Sequence, residues 1–433
     1  MDSLNLISQL KNGLVNKSLK VLVLRIAGVL FFFLLSLFLT NFYDPELVGK
    51  YDFVRSGLLI LGGICLLGTN QAIIYYSGIL VAQRSLGGLR SVYNKMVAII
   101  FAMASFFVGL TLLINDNFIN EFFDKQDAAS LIFKTVLTLA AFSLSMLNID
   151  TLRGLKRTLF SELYRNIFRY LPFFLAAIAL YFSEEMEWLV EVYLLGFIIL
   201  AVASSVQVGI VFNKKTFEDR GIKYSYNSIF LKSYPMALSA VSYFMMQSID
   251  IILLGKFSSF ETVAYYSVSV KLATATSLAL QSVTIIIAPK IAEVYKNQEL
   301  VRLKGMIKQS ARLIFVLSLP AIILLAVFSS FFLGLFGPEY VVAKEALWIL
   351  LLGQLFNTLC GPVAIYMNMT GKQNRLHQIL ILGFVSNLLL NWFLIPEFGM
   401  TGAAAATAIS MILWNLIAVV YTFRKDSVKT FIS

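Results

Sequence analysis

Long apolar runs dominate this chain and leave it few ways to fold. Twelve stretches approach or exceed the roughly 20 apolar residues that cross a hydrocarbon layer as a helix. They are residues 19–42, 53–80, 95–115, 129–149, 165–182, 189–212, 231–255, 261–288, 309–333, 342–367, 377–395 and 400–422. Backbone amides inside a bilayer must bond to one another, so runs of this kind fold as helices. The intervening loops are short and carry no inserted domain; the longest polar stretches lie at 213–228 and 289–308. The predicted fold is an all-α polytopic membrane protein of about twelve transmembrane helices. Composition agrees: 59% of the 433 residues are hydrophobic and 14% charged, against about 45–50% and about 25% in soluble domains.

Orientation follows from the basic residues, which favour the cytoplasmic side. With the N-terminus inside, cytoplasmic loops and helix feet hold Lys11, Lys17, Arg84, Arg90, Arg153, Lys156, Arg157, Lys214, Lys215, Arg220, Lys296, Arg302, Arg375, Arg424 and Lys425, among others. The acids Asp116, Glu121, Asp124, Asp127, Glu184, Glu185, Glu187 and Glu397 fall outside. Both termini are predicted to be cytoplasmic. The net charge of +11 is therefore a set of orientation signals rather than one patch, and no nucleic-acid partner is expected. The polar start, with Leu4, Ile7, Leu10 and Leu14 spaced as an amphipathic helix, has no cleavage site and reads as an interfacial segment before a retained membrane helix.

Several charged residues interrupt the apolar runs. Arg25, Arg55, Lys134 and Lys271 each stand alone in one. Such a charge costs at least a few kcal/mol at the bilayer centre, so it faces a watery interior or a partner. Four cations point to a cavity that suits an anion. Lys271 lies near mid-membrane, too deep to snorkel. Arg55 sits about one turn inside the outer end of its span, and Lys134 is similarly shallow. Arg25 lies on the cytoplasmic side, where it meets either the substrate or phospholipid headgroups. Asp250 reads as the one acid well inside a span. It is either a coupling site for H+ or Na+ or a structural partner, for Lys271 or for a serine hydroxyl. Glu162 and Arg165, three apart, share a helix face and are expected to pair, with Arg169 lining the cytoplasmic mouth. Asn387 and Asn391, four apart, suit interhelical packing.

No other chemistry is legible. Cys65 and Cys360 lie far apart in apolar segments, without metal-ligand spacing or a disulfide framework. His377 is the single histidine. No nucleophile–base pair, metal constellation or phosphate-binding glycine motif is present, so neither an enzyme nor a resident cofactor is expected beyond coupling to H+ or Na+.

A short internal match links the two halves. Val48-Gly49-Lys50-Tyr51 resembles Val263-Ala264-Tyr265-Tyr266 at an offset of about half the chain, which brings Arg55 and Lys271 to within one position of equivalence. Six plus six spans suggest two six-helix lobes around a central cavity. The organisation expected is a cytoplasmic segment 1–18, an N-lobe 19–212, an inter-lobe loop 213–228, a C-lobe 229–422 and a cytoplasmic tail 423–433. Pro172, Pro235, Pro320 and Pro362 are placed to bend their helices.

Motifs along the whole chain resemble those of the Wzx-type polysaccharide and oligosaccharide flippases. They are clearest in the second half: Ser233-Tyr234-Pro235, Ser248-Ile249-Asp250, Leu253-Leu254-Gly255, Val263 to Tyr266 leading to Lys271-Leu272, Ala288-Pro289, Leu335-Phe336-Gly337 and Thr370-Gly371-Lys372. Asn387, Asn391, Ile395 to Gly399 and Gly402-Ala403-Ala404 continue the pattern. The first half adds Val48 to Tyr51 and Leu67-Gly68-Thr69-Asn70. The wider superfamily includes multidrug-and-toxin extrusion exporters and the lipid II flippase. The resemblance implies a twelve-helix, two-lobe fold that moves undecaprenyl-diphosphate-linked oligosaccharide outward across the bacterial cytoplasmic membrane by alternating access, for O-antigen, capsule or exopolysaccharide. It implies lipid-linked oligosaccharide and membrane lipids as partners, with polysaccharide polymerase and glycosyltransferases beside them. It also places Arg25 and Arg55 in helices where lipid II flippase relatives carry cavity arginines. A cation-coupled drug exporter of the same superfamily is the second reading; its cavity would be expected to hold carboxylates, of which this sequence offers Asp250.

Overall fold

The computed structural model describes residues 2–83, 85–214 and 224–432. Among these every regular element is helical. Two compact units divide the chain: Met1–Tyr43 with Gly57–Ala240, and Asp44–Ser56 with Val241–Ser433. The second unit thus begins within a helix rather than before it and includes a short piece of the N-terminal half. The expected loop at 213–228 falls largely on residues 215–223, outside the described residues, as do the side chains of the N-terminal segment through Lys20 and those of Pro235 and Pro289.

The first unit contains α1 (Asp2–Phe42), the second half of α2 (Pro45–Leu66), α3 (Thr69–Ala82), α4 (Leu86–Leu113), α5 (Asp116–Phe123), α6 (Ala128–Gly154), α7 (Thr158–Leu163), α8 (Leu171–Phe182), α9 (Leu189–Lys214) and the start of α10 (Tyr226–Phe257). Helix α6 is its centre and packs on α3, α4 and α9. Its polar residues Thr135, Ser143, Ser145, Asn148, Asp150 and Thr151 are buried, while Leu137 is 54% exposed. The exposed faces of α4 and α9 carry Phe106, Leu113, Val202 and Val206. A polar seam inside and an apolar skin outside is the arrangement that lipid surroundings demand.

The second unit holds the first half of α2, the rest of α10, α11 (Phe260–Ala275), α12 (Leu278–Lys296), α13 (Leu300–Val327), α14 (Ser329–Gly334), a 3₁₀ segment Pro338–Ala343, α15 (Lys344–Cys360), α16 (Val363–Met369) and α17 (Gln373–Asp426). Helix α15 packs on α11, α13 and α17. Asp44 starts α2 by accepting the Glu46 N–H at 2.8 Å, with Pro45 in the first helical position. Ser259 starts α11 by accepting the Thr262 N–H at 3.2 Å. Between these two helices a Cβ on Gly49 would lie 1.8 Å from the Phe260 carbonyl oxygen, so only glycine permits their approach. The two helices that carry the internal match thus touch through backbone at Gly49 and Phe260.

Breaks divide several of the predicted spans. Helices α2 and α3 meet at 45° across Leu67 and Gly68, both at positive φ, and α11 meets α12 at 42°. The span at 165–182 is cut by a π-helical turn, Tyr164–Phe168, and Pro172 then occupies the first turn of α8. Pro362 follows Gly361 at the break between α15 and α16. Pro320 lies within α13, and α17 is interrupted at Gly399, shortly after Pro396. Among the described residues seven helices are long and apolar enough to cross a membrane, or up to nine with the two bent pairs. The sequence predicts twelve; the difference comes from the 165–182 span, cut by the π turn, from α17, which covers two predicted spans in one element, and from α10, several side chains of which lie outside the described residues.

Candidate functional site

Lys271 and Arg55 come together in the second unit around a carboxylate that the sequence reading passes over. Lys271 Nζ donates to Asp52 Oδ2 at 2.9 Å, and Arg55 Nε donates to Asp52 Oδ1 at 3.0 Å. The side chain of Asp52 is fully buried, that of Lys271 8% exposed and that of Arg55 18% exposed. Asp52 and Arg55 are three apart on α2 and therefore share a face. The close approach at Gly49 brings α11, and Lys271 with it, to that face. Two cations from different helices thus converge on one buried carboxylate, and removing that carboxylate would leave charge uncompensated in a nearly dry setting.

Asp250 is apart from this cluster and does not bind Lys271. It accepts Tyr266 Oη–H at 2.7 Å, Thr407 Oγ1–H at 3.3 Å and the Ile251 N–H at 2.9 Å. The network extends through Asn387, whose Nδ2 donates to Ser410 Oγ at 3.0 Å and to Thr407 Oγ1 at 3.5 Å, and Asn391 donates to Asn387 Oδ1 at 3.2 Å. Asp250, Tyr266, Asn387 and Asn391 are all buried. A carboxylate held by hydroxyls and no cationic side chain is chemically suited to receive a proton or a small cation.

The remaining cations lie in the first unit. Arg25 on α1 grips Glu162 on α7 with two parallel bonds, Nε to Oε2 at 3.0 Å and Nη2 to Oε1 at 2.7 Å. Glu162 is 1% exposed and also accepts Asn166 Nδ2 at 3.0 Å. Arg165 binds Asp150 of α6 instead of Glu162, and Asn70 Nδ2 donates to the same carboxylate at 3.3 Å. Lys134 pairs with Glu191 of α9, both partly exposed; such a pair contributes about 0–1 kcal/mol.

Asp250 lies well inside α10, and Asp52, Asp150 and Glu162, outside the predicted spans, are buried as well. All three lie at the polar ends of apolar runs, where a sequence window reads them as loop or helix foot. Helix packing buries those ends. The only usable signal was i,i+3 spacing, which links Asp52 to Arg55 correctly but also suggests Glu162 with Arg165. Cys65 and Cys360 are buried free thiols, and among the described residues no group of His, Cys, Asp and Glu could hold a metal ion.

Comparison with known proteins agrees with this architecture. Residues 235–393 match the MatE family model. The chain is 28% identical over 207 residues to the probable low-salt glycan biosynthesis flippase Agl15 of Haloferax volcanii; the alignment covers 47% of this chain and 43% of that relative. The match thus spans less than half the length of the relative. Among solved structures, the lipid II flippase MurJ in an inward closed conformation superposes with a TM-score of 0.73 at 13% identity, over 95% of this chain and 89% of MurJ. A multidrug resistance MATE family transporter in an inward-facing conformation gives 0.72 at 13% identity, over 94% of this chain and 98% of that one. This all-α multi-pass membrane protein thus matches the MatE family model over residues 235–393 and has the fold of MurJ and of the MATE transporter.

Proposed function

We propose that the protein translocates undecaprenyl-diphosphate-linked oligosaccharide from the inner to the outer leaflet of the bacterial cytoplasmic membrane by alternating access, for surface polysaccharide assembly. The observation that carries this reading is the Asp52–Arg55–Lys271 cluster, where two cations from different helices converge on one buried carboxylate. A diphosphate crossing a low-dielectric layer needs cationic compensation, and the Arg55 fork and Lys271 ammonium supply it. Asp52 holds both cations together and gives them up when the diphosphate arrives. Arg25 and Lys134 assist in this reading, Arg25 as an early contact on the cytoplasmic side. The sugars need a polar lumen, and the polyprenyl tail stays in lipid. The similarity to a glycan-biosynthesis flippase supports this choice of cargo. Both termini are placed in the cytoplasm, and polymerase and glycosyltransferases act before and after the protein.

Asp250 supports a second reading, a cation-coupled exporter of small molecules like the MATE transporters whose fold the chain shares. Within the flippase reading the same carboxylate is the place where H+ or Na+ would couple. One experiment separates the two. Delete the gene and label lipid-linked glycan in intact and permeabilised cells. The flippase reading expects glycan trapped inside, export restored by the wild-type gene, and no restoration by a Lys271→Ala/Arg55→Ala double variant that still reaches the membrane. Normal surface glycan after deletion, in a strain lacking any second flippase, would reject the cargo and favour the exporter.

A further inference from the structure

Arg25, Arg55, Lys134, Arg165 and Lys271 each bind a carboxylate. Arg169, among the described residues, binds none, and its Nε is buried without a hydrogen-bond partner. Its guanidinium lies instead among three rings: Tyr170 at 5.5 Å, Phe142 at 5.7 Å and Phe197 at 5.7 Å from the ring centroids. Phe142 is near the midpoint of α6 and Phe197 lies in α9. Arg169 thus lies beside the middle of α6, about two helical turns from the Asp150 that holds Arg165.

The π-helical turn explains how it gets there. The Arg169 N–H donates to the Tyr164 carbonyl, five residues back, at 3.1 Å. The residue inserted by this turn rotates Arg169 away from the position it would share with Arg165 four residues earlier. Arg165 reaches Asp150, and Arg169 is delivered to the rings. Aromatic faces favour a cation but accept no N–H in the ring plane. The guanidinium is held in position while its in-plane donors stay available, and a buried donor of this kind calls for an acceptor.

We propose that Arg169 is an oxyanion receptor of the first unit, taking a phosphate oxygen of the prenyl-diphosphate cargo separately from the Asp52–Arg55–Lys271 cluster. The inference rests on the flippase reading for the source of the phosphate. The rings surround the guanidinium, and Nε with one Nη offers the two parallel donors that match a phosphate edge. Lysine in this position would keep the charge and lose the fork.

The test uses the full chain purified in detergent and titrated with farnesyl diphosphate, with dioleoyl phosphatidylglycerol as a parallel ligand. Arg169→Gln is expected to raise the Kd for farnesyl diphosphate roughly tenfold or more, and Arg169→Lys by less. A second measurement needs no variant: phenylglyoxal labelling of the wild type, read by mass spectrometry, should show Arg169 protected by the diphosphate. A Kd within twofold of wild type in folded Arg169→Gln, or equal labelling with and without ligand, overturns the inference. Binding lost in Lys271→Ala but kept in Arg169→Gln overturns it alone and leaves the flippase reading standing. No binding of the diphosphate by wild type overturns both. Phosphatidylglycerol binding that depends equally on Arg169 keeps the receptor and assigns it to bilayer headgroups.

Discussion

At the scale of single residues, Asp52 is the pivot of the second unit's charge cluster. Removing one partner of a buried ion pair leaves the other charge uncompensated, at a cost of about 3–5 kcal/mol. Asp52→Asn should therefore lower the unfolding temperature in detergent markedly, because Lys271 and Arg55 lose a common acceptor. Asp52→Leu combined with Lys271→Met and Arg55→Met, which removes both cations along with their acceptor, should recover most of that stability while transport stays abolished. If Asp52→Asn unfolds at the wild-type temperature, the cluster has little structural role. The sequence makes the cations legible because a lone Lys or Arg in an apolar run has few explanations. It hides their partners. Asp52 and Lys271 are 219 residues apart, and no spacing rule connects them. Pairing Lys271 with Asp250 was the natural guess; tyrosine and threonine hydroxyls satisfy Asp250 instead. The ring contacts of Arg169 are hidden for a different reason: one inserted residue in a π turn changes which way every later side chain faces.

At the scale of elements, helix existence was readable and helix continuity was not. Apolar length signals a span, and each predicted span is met by helix. A bend depends on what packs beside it. Gly68, at the α2–α3 bend, sits where a Cβ would come within 2.3 Å of the Ser233 carbonyl oxygen, a neighbour far off in sequence. The same logic makes Gly49 a sensitive position, since α2 and α11 touch there through backbone. Gly49→Ala should cost about 1–3 kcal/mol by overpacking. Gly109→Ala in α4, with open space around it, should be neutral or stabilising by up to about 1 kcal/mol. Thermal unfolding of the two variants in one detergent gives the comparison; a Gly49→Ala protein as stable as Gly109→Ala would mean the approach of α2 to α11 can relax without loss.

At the scale of the whole molecule, polar groups such as Ser143, Asn148 and Asp150 lie inside while large apolar side chains such as Phe106, Leu113 and Phe182 face outward. Helix α6 carries this furthest, less apolar than α4 or α9 and more buried than either. That has a consequence for biogenesis. The ribosome delivers α6 after α3 and α4, two of its neighbours, but before α9, the one it packs on most extensively. Asn148 must wait for Ser204 and Ser205, to which its amide donates at 3.0 and 2.9 Å. A nascent chain truncated just beyond α6 should insert poorly and be degraded faster than one truncated after Lys214, as alkaline extraction and pulse-chase would measure; equal lifetimes would show that α3 and α4 suffice as cover. The polar seam that stabilises the finished unit thus sets an order of assembly: between synthesis of α6 and arrival of α9, the translocation machinery must shelter a helix that lipid alone would reject.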